Sequence, residues 1–412
     1  MADLRSIDIL VFGATGYTGQ YVVNELAKLA KKYGGLTWGI AGRNKDKLQG
    51  VLRKTSEKTG EDWSNVPLVI ADVKDPESLK AMTSRTKVLV NCCGPYRFLG
   101  EAVVKACIES GTHHLDISTE PQYMELMQLK YHKAAEEKGV YVISACGFAS
   151  IPTDLGTVYL QKNFEGITKG GCHLKISSCP PWGGSLGGGA LAHFGTWESV
   201  VYWFAHWYEL WRIRSKLNKQ KLPAFYPEQR NSERTMVFNF WSVDKSVIER
   251  SQRHFFEKNE QRPAQINTYF VVSNFLIVIG LFILGLYPKV FTCGFVSHEG
   301  PTEEAEEHTS ATFTFRGKGW SEKDMASSCP PDKTVITNSP GYGFTALSLI
   351  LCSIMTLKES GNMPGRGGVL PPAAAFRKTS LIEQLMQHDV KFEVTSSEVV
   401  PVKRSCCLSM CV

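Results

Sequence analysis

The residues with the plainest chemical task stand at the start. Gly13-Ala14-Thr15-Gly16-Tyr17-Thr18-Gly19 follows the apolar run 7–12. It precedes a helical stretch, 20–32, with Val22, Val23, Leu26, Leu29 and Ala30 at helical spacing. Strand, glycine turn and helix together are the setting in which a main chain can hold a pyrophosphate. One glycine allows the tight turn, another lets the backbone approach the phosphates, and the helix N-terminus adds N–H groups and a positive dipole. The spacing is G-x-x-G-x-x-G rather than G-x-G-x-x-G; the physics is similar. Gly13, Thr15, Gly16, Tyr17 and Gly19 are therefore candidate cofactor-binding residues. The alternative is a plain glycine-rich turn.

An NAD site usually ends its second strand in an acid, which binds the ribose 2′-hydroxyl, whereas an Arg there faces a 2′-phosphate. After the second apolar run, 36–41, this chain has Arg43 with Lys45 and Lys47 close by and no acid before Asp46. NADP is expected over NAD. The alternative is that Arg43 only opens a solvated helix. Asp72 ends the third run, 67–71, where an acid can reach the adenine or cap a turn. The fourth run, 88–92, leads into Cys93-Gly94-Pro95-Tyr96. Ligands of open α/β sheets sit beyond the carboxyl ends of the strands. Cys92, Gly94 and Pro95 are thus expected along the cofactor, on its nicotinamide side.

With such a cofactor the protein supplies orientation and a proton. Tyr96 is the best-placed hydroxyl, and Asp154 follows the sixth run; these are the candidate catalytic residues. Asp116 and Glu120 lie after the fifth run, and each singly is as readily structural. Short-chain dehydrogenases carry Tyr-x-x-x-Lys, but none of the 14 tyrosines has a Lys four residues later. The 12 cysteines form no CxxC pair and no Cys/His cluster of zinc-ligand spacing, so no metal is expected.

These residues need a frame. Further apolar runs at 114–118 and 140–144, with helical stretches at 102–109 and 122–138, give six strands alternating with helices. That predicts an α/β fold with an N-terminal Rossmann domain over 1–150. An α+β substrate or oligomerisation domain, 151–340, is inserted after it. A C-terminal segment, 341–400, is expected to pack back on the Rossmann domain, ahead of a Cys-rich tail, 401–412. Composition agrees with a globular body: 43% hydrophobic and 21% charged residues in 412. The net charge of +6 is too small and scattered for nucleic acid. The N-terminus lacks the apolar stretch of a secretory signal, so a reducing compartment is expected.

Two features point to lipid. Trp203, Trp207 and Trp211 recur every four residues within 197–214, on one face of a predicted helix. Core or homodimer packing and a membrane surface are the two readings. Between Arg262 and Lys289 run 26 residues without a charge. Their stretch 269–287 has a tyrosine at each end and approaches the ~20 residues that span a bilayer. A helix over 266–288 is expected to insert into a membrane or a droplet monolayer, with a true span or a buried helix as alternatives. In the tail, Cys406, Cys407 and Cys411 beside Lys403 and Arg404 invite acylation; an unmodified tail is the alternative.

G-A-T-G-Y-T-G, A-G-R, N-C-C-G-P-Y, L-D-I-S-T-E-P, G-F-A-S-I-P-T-D-L-G and the later G-G-V-L-P-P-A-A-A-F resemble the saccharopine dehydrogenase family. The resemblance covers nearly the whole chain. It implies an NAD(P)-type Rossmann domain joined to a substrate domain, and leaves the substrate open. Similar bacterial proteins are assigned enoyl reduction in glycolipid assembly, and animal relatives are associated with lipid droplets and membranes. The resemblance thus implies an oxidoreductase on a small-molecule or lipid-like substrate, at a droplet or membrane facing the cytosol; a mitochondrial location and a soluble enzyme of lysine metabolism are alternatives. One departure stands out. Relatives usually have an acid in G-F-D-S-x-P, and here Ala149 takes its place. A nucleotide-binding droplet scaffold with reduced catalysis is therefore the alternative function.

Overall fold

Burial on both faces explains why the first strands are almost wholly apolar. A computed structural model gives the structure, which describes residues 5–163, 172–179, 192–218, 222, 237–239, 243–259, 263–271, 296–297, 310–319, 332–340 and 342–395. The chain begins β1 (Ile7–Phe12), α1 (Tyr17–Lys32), β2 (Trp38–Gly42), α2 (Lys45–Thr59), β3 (Leu68–Ile70) and α3 (Pro76–Thr83). It continues β4 (Thr86–Asn91), α4 (Tyr96–Ser110), β5 (His113–Asp116), α5 (Pro121–Lys138), β6 (Tyr141–Ile143) and α6 (Ser150–Lys162). Neighbouring strands are parallel, in the order β3-β2-β1-β4-β5-β6. The order reverses beside β1, which opens a crevice at the carboxyl ends of β1 and β4. Local signals start the helices. Asn44 accepts from the Lys47 N–H at 2.9 Å to cap α2, and Asp75 does the same for α3 through the Glu77 N–H at 3.1 Å.

The second layer follows: β7 (Cys172–Cys179), β8 (Ala192–His193), α7 (Phe194–Ala205), α8 (Trp207–Leu217), β9 (Val237–Asn239) and α9 (Val243–Asn259). Then come β10 (Gln265–Val271), β11 (Val296–Ser297), β12 (Ser310–Gly319) and β13 (Asp332–Pro340). The chain closes with α10 (Tyr342–Lys358), β14 (Gly368–Leu370), α11 (Pro372–Phe376), α12 (Leu381–Met386) and β15 (Lys391–Thr395). Among the described residues a mixed sheet forms in the order β15-β13-β12-β7-β10-β9. Helix α6 lies between the two sheets. Its Leu160 packs with Phe313, Phe315, Ile248 and Ile266 in a small core. At Gly156 a Cβ would come within 2.5 Å of the Phe315 ring.

The segment after 341 is shared between the layers. β14 pairs in parallel with β6 and adds a seventh strand to the Rossmann sheet. α10 packs on α1 with Leu349, Ile350, Leu351 and Ile354 fully buried. β15 instead joins β13 in the second sheet.

Two expectations are corrected. The apolar helix 266–288 does not begin where it was expected: Gln265–Val271 is strand β10, parallel to β7 and antiparallel to β9. Ile266 and Thr268 are buried while Asn267 between them is half-buried, the alternation of a strand. Residues 272–288 lie outside the described residues, as does the tail 401–412. Among the described residues no helix is long and apolar enough to cross a membrane. The tryptophan helix is also two helices, α7 and α8, separated at His206 with φ −124° and ψ 25°. Trp203 therefore sits on a different helix from Trp207 and Trp211. The side chains of Trp203 and Trp207 are outside the described residues; Trp211 is 73% exposed.

Candidate functional site

The glycine turn is built on main-chain proximity. Gly13 has φ +83°, and a Cβ there would lie 2.7 Å from Cys93 Sγ and 3.0 Å from the Cys92 carbonyl carbon. A Cβ at Gly19 would overlap the carbonyl oxygen of Gly13 and come within 3.0 Å of Ala14 Cα. These two glycines let α1 start directly against the end of β1. Gly16 is the N-cap of α1 and its N–H donates to Gly13 O at 3.0 Å. No acid stands in the first turn of α1, so nothing there opposes an anion at the helix's positive end. Thr15 is half-buried on this turn. Tyr17 opens the helix and stacks on His193 with ring centroids 5.0 Å apart, which ties the turn to the start of α7.

Arg43 is exposed and directly follows β2. Its charge and that of Asp72 act in opposite senses on the Cys93 thiol, which places all three at the carboxyl ends of β2, β3 and β4. Asp72 is partly spent on its own turn, where Oδ1 accepts from the Lys74 N–H at 2.9 Å. Arg43 thus stands exposed at the end of β2, the place where a cation that reads a 2′-phosphate would stand. Arg43→Ala is expected to weaken NADPH binding roughly 10–100-fold and to leave NADH almost unchanged, as a charge-assisted contact to one phosphate should. Fluorescence titration with both nucleotides checks this; equal losses for the two would show that Arg43 does not read the phosphate.

Glu120 organises the loop after β4, a role the sequence reading did not assign. The Cys93 N–H donates to Asn91 Oδ1 at 3.0 Å. Pro95 is the N-cap of α4 and supplies no side-chain cap. The Glu120 carboxylate does so instead, accepting from the Tyr96 N–H at 3.0 Å and the Arg97 N–H at 2.7 Å. Ser199 Oγ on α7 donates to the same carboxylate at 3.0 Å. Cys92 and Gly94 flank this junction. Burial pushes the Cys93 thiol up to about 12 and the Cys92 thiol higher, so neither offers a thiolate at neutral pH.

Tyr96 lies in the first turn of α4 rather than in a loop, and its ring is buried. Its hydroxyl donates to the Asn91 carbonyl at 2.9 Å, so it braces the loop instead of facing a substrate. Burial, then the nearby Asp116, holds its proton well above the ordinary tyrosine range. Asp154 is fully buried in α6. Its Oδ2 accepts from Ser251 Oγ on α9 and from the Ala373 N–H in α11, each at 2.7 Å. Oδ1 has no hydrogen-bond partner among the described residues. The neighbouring Arg250 donates through Nε to Gln128 at 2.7 Å, and its two Nη atoms are buried without partners among the described residues. Burial lifts Asp154 to about 7 although Arg250 pulls the other way. The two candidate catalytic groups share no hydrogen-bond partner. One braces β4 to α4, the other joins α6, α9 and α11. Among the described residues no group of three His, Cys, Asp or Glu is placed to hold a metal ion.

Ala149 gains a structural account. It is the N-cap of α6 with φ 69° and ψ −55°, a conformation costly for any residue with a Cβ. An acid at this position stands where helix caps stand. Ala149→Gly is expected to stabilise the fold by about 1 kcal/mol, as relief of backbone strain outweighs the added freedom of the unfolded chain. Thermal melts check it; a lowered Tm would show that the strain is absent.

The site suits NADP on three counts. Gly16 lies exposed at the N-cap of α1, the first turn of that helix is free of acids, and a cation follows β2. Residues 9–143 match the family model for the saccharopine dehydrogenase NADP binding domain. A Rattus norvegicus protein, "Saccharopine dehydrogenase-like oxidoreductase", is 37% identical over 97% of this chain and 99% of its own length. A Caenorhabditis elegans protein, "Lipid droplet localized protein", is 32% identical over 94% of this chain and 98% of its own. Apo saccharopine dehydrogenase (L-Glu forming) from Saccharomyces cerevisiae aligns over 95% of this chain and 100% of that one, with TM-score 0.52 and 12% identity, a likeness of fold. The N-terminal domain is an NADP-binding Rossmann domain, and the chain belongs to the saccharopine dehydrogenase-like oxidoreductases.

Proposed function

We propose that the chain is an NADP-dependent oxidoreductase that reduces an enoyl or keto group of a lipid-like substrate at the cytosolic face of a lipid droplet or intracellular membrane. One observation carries the lipid part of this reading. Phe98 in α4 and Tyr208 and Trp211 in α8 are 58%, 49% and 73% exposed. Phe98 stands three residues beyond Pro95 of the cofactor loop, and Tyr202 of α7 meets its ring edge-on at 5.1 Å. Exposed Arg212 and Lys216 flank the aromatics on α8. Aromatic rings beside basic side chains suit the boundary of an anionic lipid layer. The C. elegans relative's name agrees with that surface. The lipid reading thus moves from an inserted helix to a surface beside the cofactor loop.

NADPH when bound supplies the hydride. The protein's residues do the rest. The turn at Gly13 and Gly19 holds the pyrophosphate, Arg43 binds the 2′-phosphate, and Glu120 keeps the Asn91–Tyr96 loop in register with α4 and α7. Asp154, lifted to about 7, is a group here that can hold a proton near neutral pH, ahead of Asp116 and Asp244 at about 6.

A second reading has its own support. The Tyr96 hydroxyl and Asp154 Oδ2 are both committed to internal hydrogen bonds, which fits a droplet scaffold that binds nucleotide with reduced turnover. NADPH oxidation should be followed with enoyl, keto and imino compounds bearing acyl chains, presented in mixed micelles. Turnover of the enoyl or keto compound is expected. NADPH binding without turnover of any would favour the scaffold, and no NADPH binding would end both readings. Phe98→Glu with Trp211→Glu is expected to cut flotation with droplets roughly tenfold while NADPH binding persists; undiminished flotation would remove this surface from the proposal.

A further inference from the structure

A second cleft lies along the edge strand β14, four strands away from β1 and its glycine turn. Its volume is about 530 Å³. It opens between the last turns of α5 and α9, the edge strand β14 and the residues after α11. The floor is apolar, with Met363, Leu370 and Ala375 buried. The rim is cationic. Lys258 ends α9, and Arg377 and Lys378 follow α11, against one acid, Glu136, among the described lining residues. Lys258 stands 3.6 Å from Glu136. The Arg377 guanidinium lies over the Phe255 ring, 4.2 Å from its centroid, so packing holds this charge at the cleft. Lys258 can be explained by the negative end of α9. Arg377 and the exposed Lys378 stand side by side just beyond the five-residue α11.

We infer that this cleft binds a compound with a phosphate or similar dianionic head and an apolar or uncharged body, separate from the dinucleotide site. The cationic rim meets the head and the buried floor meets the body. His254, at the wall, already feels the field. Burial first, then Lys258, His132 and Arg377, push its imidazole down to about 4, and Glu136 alone opposes them. A bound dianion would reverse that field. The cleft's lining favours a soluble phosphate compound over a lipid headgroup, because neither α4 nor α8, which carry the exposed aromatics Phe98, Tyr208 and Trp211, contributes to it.

The test uses the full chain saturated with NADPH, so that added phosphate does not occupy the dinucleotide site. Histidines carry ¹³C at Cε1, and the His254 signal is assigned by its loss in His254→Gln. The probes are inorganic phosphate, inorganic pyrophosphate, and phosphatidylcholine vesicles with and without phosphatidic acid. The His254 titration midpoint is expected to rise by about one pH unit as an anion is bound nearby. In the Lys258→Glu/Lys378→Glu variant, altered at two exposed positions, anion affinity should fall by at least about tenfold. NADPH affinity of that variant should be unchanged, which certifies the fold. A response to the soluble anions supports a phosphate metabolite; a response to phosphatidic acid vesicles alone supports the site with a lipid headgroup as ligand. No movement of His254 with any probe, or an equal response in the double variant, overturns the inference.

Discussion

Gly19→Ala is expected to abolish measurable NADPH binding and to cost the fold about 3 kcal/mol, the upper end of what overpacking a core costs. The cause lies in what the new methyl meets. It would overlap Gly13 O and stand 3.0 Å from Ala14 Cα and Gly13 C, all main-chain atoms. No side chain can swing aside, so α1 must lift from the end of β1. That helix is anchored by Val22, Val23 and Leu26, all fully buried, and α10 packs against it. Lifting it opens the core and moves the positive end of α1 away from the pyrophosphate. Gly16→Ala is the internal control. A Cβ there meets only Gly13 O, at 3.3 Å, on an exposed turn. Its cost should stay below about 1 kcal/mol. Denaturant melts and NADPH titrations of the two variants decide the matter. Wild-type NADPH affinity in Gly19→Ala would show that the turn is not the phosphate cradle.

The same contrast between near and distant contacts explains what the sequence made legible. Strands of a parallel sheet are buried on both faces, so they appear as short apolar runs between helices. The run 7–12 coincides with β1, and 140–144 overlaps β6. The glycine turn could be read because the contacts of Gly16 and Gly19 are with Gly13 and Ala14 of the same turn, although Gly13 itself also faces Cys92 and Cys93. The second layer did not have that advantage. The first residues of the uncharged stretch, 265–271, suit a strand or a helix equally, since a short run has no decisive period. What makes Gln265–Val271 a strand is β7, whose His173 pairs with Gln265 from far along the chain. The break at His206 involves neither Gly nor Pro and carried no local signal. Tyr96 was misplaced for a related reason. The local sequence signals its helix only from 102, and the group that starts it earlier is Glu120, from the next strand's loop. The turn that carries the candidate residues 13–19 was therefore legible; the packing of Tyr96 and Asp154 against other elements was not.

Asp154→Asn is expected to leave stability unchanged near pH 4 and to raise it, on the order of 2–4 kcal/mol, near pH 8. Burial lifts the Asp154 carboxyl from 3.8 to about 7. The folded chain therefore binds this proton more tightly than the unfolded chain does. The stabilisation is complete below the ordinary value and is lost as pH rises toward and through about 7. Asp116 and Asp244, each pushed up to about 6 by burial, act in the same direction. His113 and His254, each pushed down to about 4, act in the opposite one, so the wild-type profile alone is not diagnostic. The difference between wild type and variant isolates Asp154. Asparagine keeps one oxygen for Ser251 Oγ and the Ala373 N–H, and its amide resembles the neutral acid. Chemical denaturation of both proteins from pH 4 to pH 8 measures that difference; a gap that does not widen with pH would place the charged carboxylate comfortably in the fold. The variant also separates two roles. If Asp154 delivers a proton, turnover should fall at least about 100-fold while stability at pH 8 rises, since general acid catalysis contributes that much. If it only joins α6, α9 and α11, turnover should persist, because both hydrogen bonds survive. A change in stability without one in rate would make Asp154 a brace, and the proton source would then lie elsewhere at the carboxyl ends of the strands.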